Sequence, residues 1–372
     1  MLRELALLFL KLGTLGFGGP AAHIALMEDE VVRRRGWLTR ERFLDLLGAT
    51  NLIPGPNSTE MAIHVGHERA GWRGLLVAGT CFILPAFAIV LACGWAYTRY
   101  GTLPAAEGLL RGVKPVIIAI VLQALWSLGR TAARTRGLAA LGLVCVAAAV
   151  VGVHELVVIF GAGALAAALA WARSARAGAV AILGAPLGAA SVAAAAGTAP
   201  IGLAPLFLVF LKIGSVLFGS GYVLLAFLRA DLVVRRGWLT ESQLLDAIAI
   251  GQVTPGPVFT TATFVGYLLA GARGALVATV GIFLPAFVFV ALSGPLVPRI
   301  RRSPVAGAFL DGVNVGSIAL MAVVAAQLAR AAIVDRWTGA IAVVSALLLV
   351  RFRASPAWLV PAGGFLGLLS SR

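Results

Sequence analysis

Acidic residues are scarce in this chain. Fifteen Asp and Glu stand against thirty Lys and Arg, a formal net charge of +15. Charge of either sign is thin, at 12% of residues against about 25% in a typical soluble domain. That excludes an ordinary soluble enzyme, and a 60% hydrophobic content excludes disorder. Cysteine is nearly absent. Cys81, Cys93 and Cys145 lie in apolar stretches without CxxC spacing, which excludes a disulfide framework and a cysteine metal site. No Walker A loop, nucleophile elbow or HExxH pair occurs, so enzyme chemistry has no support and no cofactor or metal is expected. Strand-like alternation is missing too, which speaks against a membrane barrel. Only three cations are lysine, and the arginines sit in short clusters between apolar runs. That is the pattern of loops flanking membrane helices, with no single basic face for nucleic acid.

What is present is long apolar runs. They predict an all-α polytopic membrane protein with about thirteen helical segments, some broken or re-entrant. The runs lie near 4–27, 43–67, 74–98, 108–129, 137–151, 154–172, 178–198, 204–228, 244–268, 274–297, 305–329, 337–350 and 355–370. The N-terminal stretch resembles a signal peptide, but its pattern recurs internally from Leu206, so it is read as a membrane segment.

The chain is two copies of one unit. Lys11–Pro56 aligns with Lys212–Pro257 without a gap, with 17 of 46 positions identical. RRGWLT recurs at Arg34–Thr39 and Arg235–Thr240, and PGP at Pro54–Pro56 and Pro255–Pro257. After a one-residue deletion the alignment resumes, pairing Arg73-Gly74 with Arg273-Gly274 and Gly112-Val113 with Gly312-Val313. The expected organisation is a repeat at 1–177, a connecting apolar segment at 178–200 and a second repeat at 201–372. If the connector spans the bilayer, the repeat is inverted, a frequent transporter architecture and the reading favoured here. If it lies on the surface, the copies are parallel.

The duplicated Gly-rich and PGP elements are the sharpest local signals. Gly18-Gly19-Pro20 follows Phe17 inside an apolar run, and Gly219 matches Gly18. Glycine and proline break a helix, and broken backbone in a membrane is tolerated where it is buried or lines a cavity. A half-helix starting at Pro20, or at Pro56 with Asn57 next, aims free N–H groups at the break, which suits an anion. The alternative is a tight packing kink. The candidate substrate site therefore comprises Gly18, Gly19, Pro54, Gly55, Pro56, Asn57, Gly219, Pro255, Gly256 and Pro257. Lys11 and Lys212, repeat equivalents about two turns before each break, join it as candidate counter-charges, with snorkelling to headgroups as the alternative. Asp45 and Asp246, duplicated before each PGP, and Glu60, on a stripe with His64 and His67, are candidate proton carriers. The equivalents of that stripe, Thr260, Phe264 and Tyr267, cannot take its place. Arg111 aligns with Asp311, and a two-fold axis between the repeats would let them pair. His23 and His154 read as interfacial. Thr240 with Gln243 fits a capping box, and Thr39 has Arg42 in that position.

These motifs carry a family resemblance. The duplicated FxKxGxxxFG element at Phe9–Gly18 and Phe210–Gly219, the two RRGWLT blocks and both PGP triplets resemble the chromate transporter family, in its long form of two fused halves. The resemblance covers essentially the whole chain. It implies a multi-pass protein of the bacterial inner membrane that exports chromate, driven by the proton motive force. Sulfate is the natural isostere. The expected partners are chromate or sulfate, protons and the lipid bilayer, with a homodimer as an open alternative. In the second half Ser220-Gly221 replaces Gly19-Pro20, so the two half-sites are not equivalent. Another oxyanion carrier, such as one for sulfate, or a passive anion channel would share the same elements.

Overall fold

The computed structural model describes residues 1–16, 19–101, 103–175, 201–218, 221–301, 303–352 and 354–370. Gly18, Gly219 and the 178–200 connector lie outside the described residues. Within them the chain is helical, with fourteen α-helices and no strand. In the first half these are α1 (Leu2–Leu15), α2 (Gly19–Glu28), α3 (Arg40–Thr50), α4 (Asn57–Tyr100), α5 (Pro104–Ala132), α6 (Arg136–Val151) and α7 (Glu155–Ala175). The second half repeats the order as α8 (Leu203–Val216), α9 (Leu224–Leu228), α10 (Glu241–Val253), α11 (Thr261–Arg301), α12 (Pro304–Ala332), α13 (Arg336–Arg351) and α14 (Pro356–Ser370). Wide π-helical turns, Asp29–Arg34 and Arg229–Arg235, extend α2 and α9. Among the described residues, five stretches are long and apolar enough to cross a bilayer: Asn57–Tyr100, Ala105–Ala132, Glu155–Ala172, Val258–Ser293 and Pro304–Ala332.

The expected run 43–67 is not one helix. α3 stops at Thr50 and α4 starts at Asn57, with PGP between them: each proline disfavours helical backbone in the residue before it, and Gly55 takes φ +141°. The run 244–268 breaks at the second PGP in the same way. Thr39 caps α3 through its hydroxyl, and Thr240 and Gln243 form a capping box on α10.

α4 and α11 each fold back on themselves. The backbone leaves the helical region at Ala70-Gly71 and Ala270-Gly271, where the glycines take φ +57° and +61°. Gly66 and Gly74 then meet backbone to backbone, as do Gly266 and Gly274, with no room for a Cβ. The arm from 57 to 69 rises only about 20 Å, too little to cross a ~30 Å hydrocarbon core. Glu68, Arg69 and Arg73 flank its turn and fix that end at the membrane surface. The PGP end therefore lies deep in the bilayer.

The two halves exchange helices. α6 and α7 of the first half pack on α12 of the second, and α13 and α14 pack on α5. α4 packs on α11, and α5 on α12. Two ion pairs fix the direction of these central helices. Arg111, early in α5, pairs with Asp335, just past the end of α12. Arg134, just past the end of α5, pairs with Asp311, early in α12. Equivalent helices thus run antiparallel, so the two-fold relating the halves is perpendicular to them and lies in the membrane plane. The repeat is inverted.

Candidate functional site

Each PGP turn docks on the broken helix end of the other half. The Gly55 amide donates to Leu217 O at 2.8 Å, and the Gly256 amide donates to Gly16 O at 2.9 Å. Leu217 and Gly16 are repeat equivalents, ending α8 and α1 respectively. A Cβ on Gly256 would stand 2.6 Å from the Ala86 Cβ, so only glycine fits this crossing. The site is therefore composite, and neither half contains it alone.

Between these crossings lies a cavity of about 670 Å³. α2 and α4 both begin on it, through Pro20-Ala21 and Pro56-Asn57-Ser58. The Thr59 and Glu60 amides return to Pro56 O at 2.8 and 3.0 Å. The amides of Asn57 and Ser58 have no carbonyl within the helix to receive them, and Pro56 offers no side-chain cap. The facing wall comes from the second half and is apolar: Phe218, Val223, Val258 and Phe259. The one-residue deletion explains the contrast. It replaces the first turn of α4 with a 3₁₀ turn, Val258–Thr260, and the Thr260 and Thr261 hydroxyls bond back to Pro257 O and Val258 O.

The remaining walls are α5, through Gln123, Ser127 and Thr131, and α12, through Asn314 and Ser317. The Ser317 hydroxyl is buried, at 1% residue exposure, without a hydrogen-bond partner among the described residues. Arg134 and Asp311 stand paired at the more exposed edge. Arg134 is the one cation among the described lining residues, and its charge is met by Asp311. The cavity thus offers amide N–H groups, hydroxyls and carboxamides rather than a free positive charge. That donor set suits a small multivalent oxyanion.

Lys11 and Lys212 do not line this cavity. Lys11 Nζ bonds Glu30 Oε1 at 2.7 Å, with Arg34 and Arg35 at 3.6 and 3.3 Å from the same carboxylate. Lys212 Nζ lies 2.7 Å from Asp231, which Arg235 also holds at 2.8 Å. Each lysine ties its half's first helix to the π-turn beyond the break. Glu30 lies outside the spanning stretches, and its hydrogen bond from Lys11 holds its carboxyl below the usual range, against some desolvation.

The acids separate sharply. Glu60 is fully buried behind Pro56, one turn into α4, and neither oxygen has a partner among the described residues. Its carboxyl presses on Gly55, where any Cβ would collide with it. Asp246 is buried against Lys114 Nζ at 3.1 Å and accepts from Tyr97 Oη at 2.8 Å. Its equivalent Asp45 is exposed on α3. Arg111 and Asp311 do not pair with each other, because the two-fold sends equivalent residues to opposite ends of the antiparallel helices. Gly19 takes φ +78° at the start of α2. Pro54 and Pro255 hold the approach to each turn.

His23 is not interfacial. It is 2% exposed, its Nε2–H donates to Gly16 O at 2.8 Å, and it steadies the carbonyl that receives Gly256. Gln123, Ser127, Thr131, Asn314 and Ser317 are further site residues that the motifs do not name. Their signal is a polar stripe at i, i+4 and i+8 in the second half of α5, with Asn314 and Ser317 on α12 facing it.

A family model described as "Chromate transporter" matches residues 3–169 and 204–368. The chromate transport protein of Cupriavidus metallidurans is 35% identical over 99% of this chain and 93% of its own length. The probable chromate transport protein of Synechococcus elongatus is 33% identical, covering 95% of this chain and 92% of its own. The chromate transport protein of Pseudomonas aeruginosa is 35% identical over 87% and 80%. No solved structure matches. With both halves matched and relatives aligned along nearly the whole length, the chain belongs to the chromate transporter family.

Proposed function

We propose that this protein exports chromate from the bacterial cytoplasm across the inner membrane, in exchange for protons. The observation that carries the reading is the deep cavity between inverted halves, walled by the free amides of α4 and by neutral donors. A tetrahedral dianion accepts hydrogen bonds on every oxygen and needs donors from several directions. Asn57, Ser58, Asn314 and Ser317 supply them. Without a lysine or free arginine at its centre the site binds loosely enough to release, as a carrier must. The names of the relatives support chromate as the cargo.

Glu60 is the proton carrier in this scheme. A carboxyl inside a membrane protein without a partner is costly in either state unless its protonation is used. It touches the PGP turn that positions the α4 amides, so gain or loss of its proton alters the anion site directly. Lys11 and Lys212 act at one remove, by holding the broken hairpins in place.

The test is flux of radiolabelled chromate and sulfate in everted membrane vesicles, with and without an uncoupler. Uncoupler-sensitive chromate accumulation is expected, and Glu60→Gln should abolish accumulation while sparing passive exchange. Sulfate accumulation without chromate would reassign the cargo. Flux that merely equilibrates and ignores the uncoupler would make the protein a channel.

A further inference from the structure

The described cavity lies to one side of the two-fold. It is bounded by the late part of α5 and the early part of α12. The two-fold maps Asp311, Asn314 and Ser317 onto Arg111, Lys114 and Ile117. Ile117 is fully buried in the main apolar core. Lys114 Nζ is held by Asp246 at 3.1 Å and donates to Ser242 Oγ at 2.7 Å. Tyr97 bonds the same aspartate and packs its ring 5.2 Å from Phe264. α10, which carries Asp246 and Ser242, lies on α5 and α12. Its equivalent α3 rests on α4 and α11 and, among the described residues, makes no packed interface with α12. Asp246 is 2% exposed and Asp45 is exposed.

Two equivalent regions of one inverted repeat thus pack differently: α10 lies over α5 and α12, whereas α3 stands off α12. We infer that the Lys114–Asp246–Tyr97 cluster is a closed gate over a second vestibule, and that Lys114 is the cation that meets the oxyanion when that vestibule opens. The geometry follows from exchanging the two conformations. Lys114 would then take the wall position that Asn314 holds now, and α10 would move off α5 as α3 stands off α12. In the present state Asp246 occupies Lys114. A dianion entering from that face competes with the aspartate for the same ammonium. The anion part of this inference rests on the proposed cargo, and the gate does not.

The test uses the full-length protein in sealed vesicles of known orientation, with Cys81, Cys93 and Cys145 replaced. Single cysteines at Ser127, exposed on the cavity wall, and at the buried Ile117 are probed with a membrane-impermeant methanethiosulfonate. Ser127→Cys should label from one face, and Ile117→Cys should resist label from both. Adding Asp246→Asn strands Lys114, and the closed state should loosen enough to raise Ile117→Cys labelling about tenfold or more, from the opposite face. Asp246→Glu should keep the slow rate, and unchanged Ser127→Cys labelling certifies the fold. Labelling of Ile117→Cys from the Ser127 face, or no response to Asp246→Asn, would overturn the gate. For the anion, Lys114→Met should raise the half-saturating chromate concentration about tenfold from the gate face only, with Lys114→Arg restoring it. An equal change on both faces would overturn the role of Lys114. A parent protein that moves no chromate would refute the cargo and with it the anion role, while the labelling still decides the gate.

Discussion

Single residues decide which charges are available to a substrate. Each of Lys11, Lys114 and Lys212 is committed to a carboxylate, and Arg134 to Asp311. Glu60 is the contrasting case, a buried acid with no partner among the described residues. The Lys11–Glu30 pair has a pH signature. Because Glu30 titrates below its ordinary value, folding gains from its charge at neutral pH, and the gain disappears as the pH falls through that lowered value. Glu30→Gln should therefore lower the melting temperature in detergent at pH 7, with the difference from the parent shrinking below about pH 4. A difference that persists undiminished in acid would show that the side chain acts through packing alone. The lysines themselves stood out in the sequence as rare cations in apolar runs. Their partners did not, because Glu30 and Asp231 lie nineteen residues further on and come back only when the broken hairpin closes.

At the scale of elements, the working part is a helix interrupted twice. PGP starts the short arm of α4 deep in the bilayer, and Gly71 turns the chain back at the surface. Gly55→Val should abolish transport while leaving Gly71→Ala milder. The first places a branched Cβ on the Glu60 carboxyl at φ +141°, whereas the second meets open space and bears only the strain of its positive φ. Flux in vesicles, normalised to protein amount, checks the order. The PGP break was legible in the sequence, since it recurs in the second copy and proline with glycine leaves little choice; the turn at Gly71 showed only as the gap between two apolar runs. The sequence marked the half-sites as unequal at Ser220-Gly221 against Gly19-Pro20, whereas the contrast of Asn57-Ser58 with Val258-Phe259 emerged only once the cavity placed them on facing walls. The polar stripe of α5 was equally visible, but amphipathic spacing alone does not tell a cavity wall from a helix interface. His23 was misplaced for a related reason: position near a helix start does not reveal that the start is buried.

The whole molecule is an intertwined pair. Because α6 and α7 pack on α12, and α13 and α14 on α5, each half lacks the covering for its own central helix. The duplication announces two units, but nothing in a single copy says that the units trade helices. The site shares this dependence, since each PGP turn is tied to the other half by a backbone hydrogen bond. Residues 1–177 and 201–372 expressed as separate chains should each fail to transport alone and should regain transport together. Copurification of the two pieces checks the assembly. Activity of either piece alone, as a monomer, would contradict the exchange.

In the proposed function a dianion rests in a cavity of neutral donors where α4 begins, facing Asn314 and Ser317. A negative charge placed there repels it strongly, by several kcal/mol at about 4 Å even in a fairly polar interior. The direct measurement is equilibrium binding of radiolabelled chromate to purified, monodisperse protein and to its Asn314→Asp variant. Binding should weaken by at least about tenfold in the variant. Equal affinity in both would place the anion elsewhere.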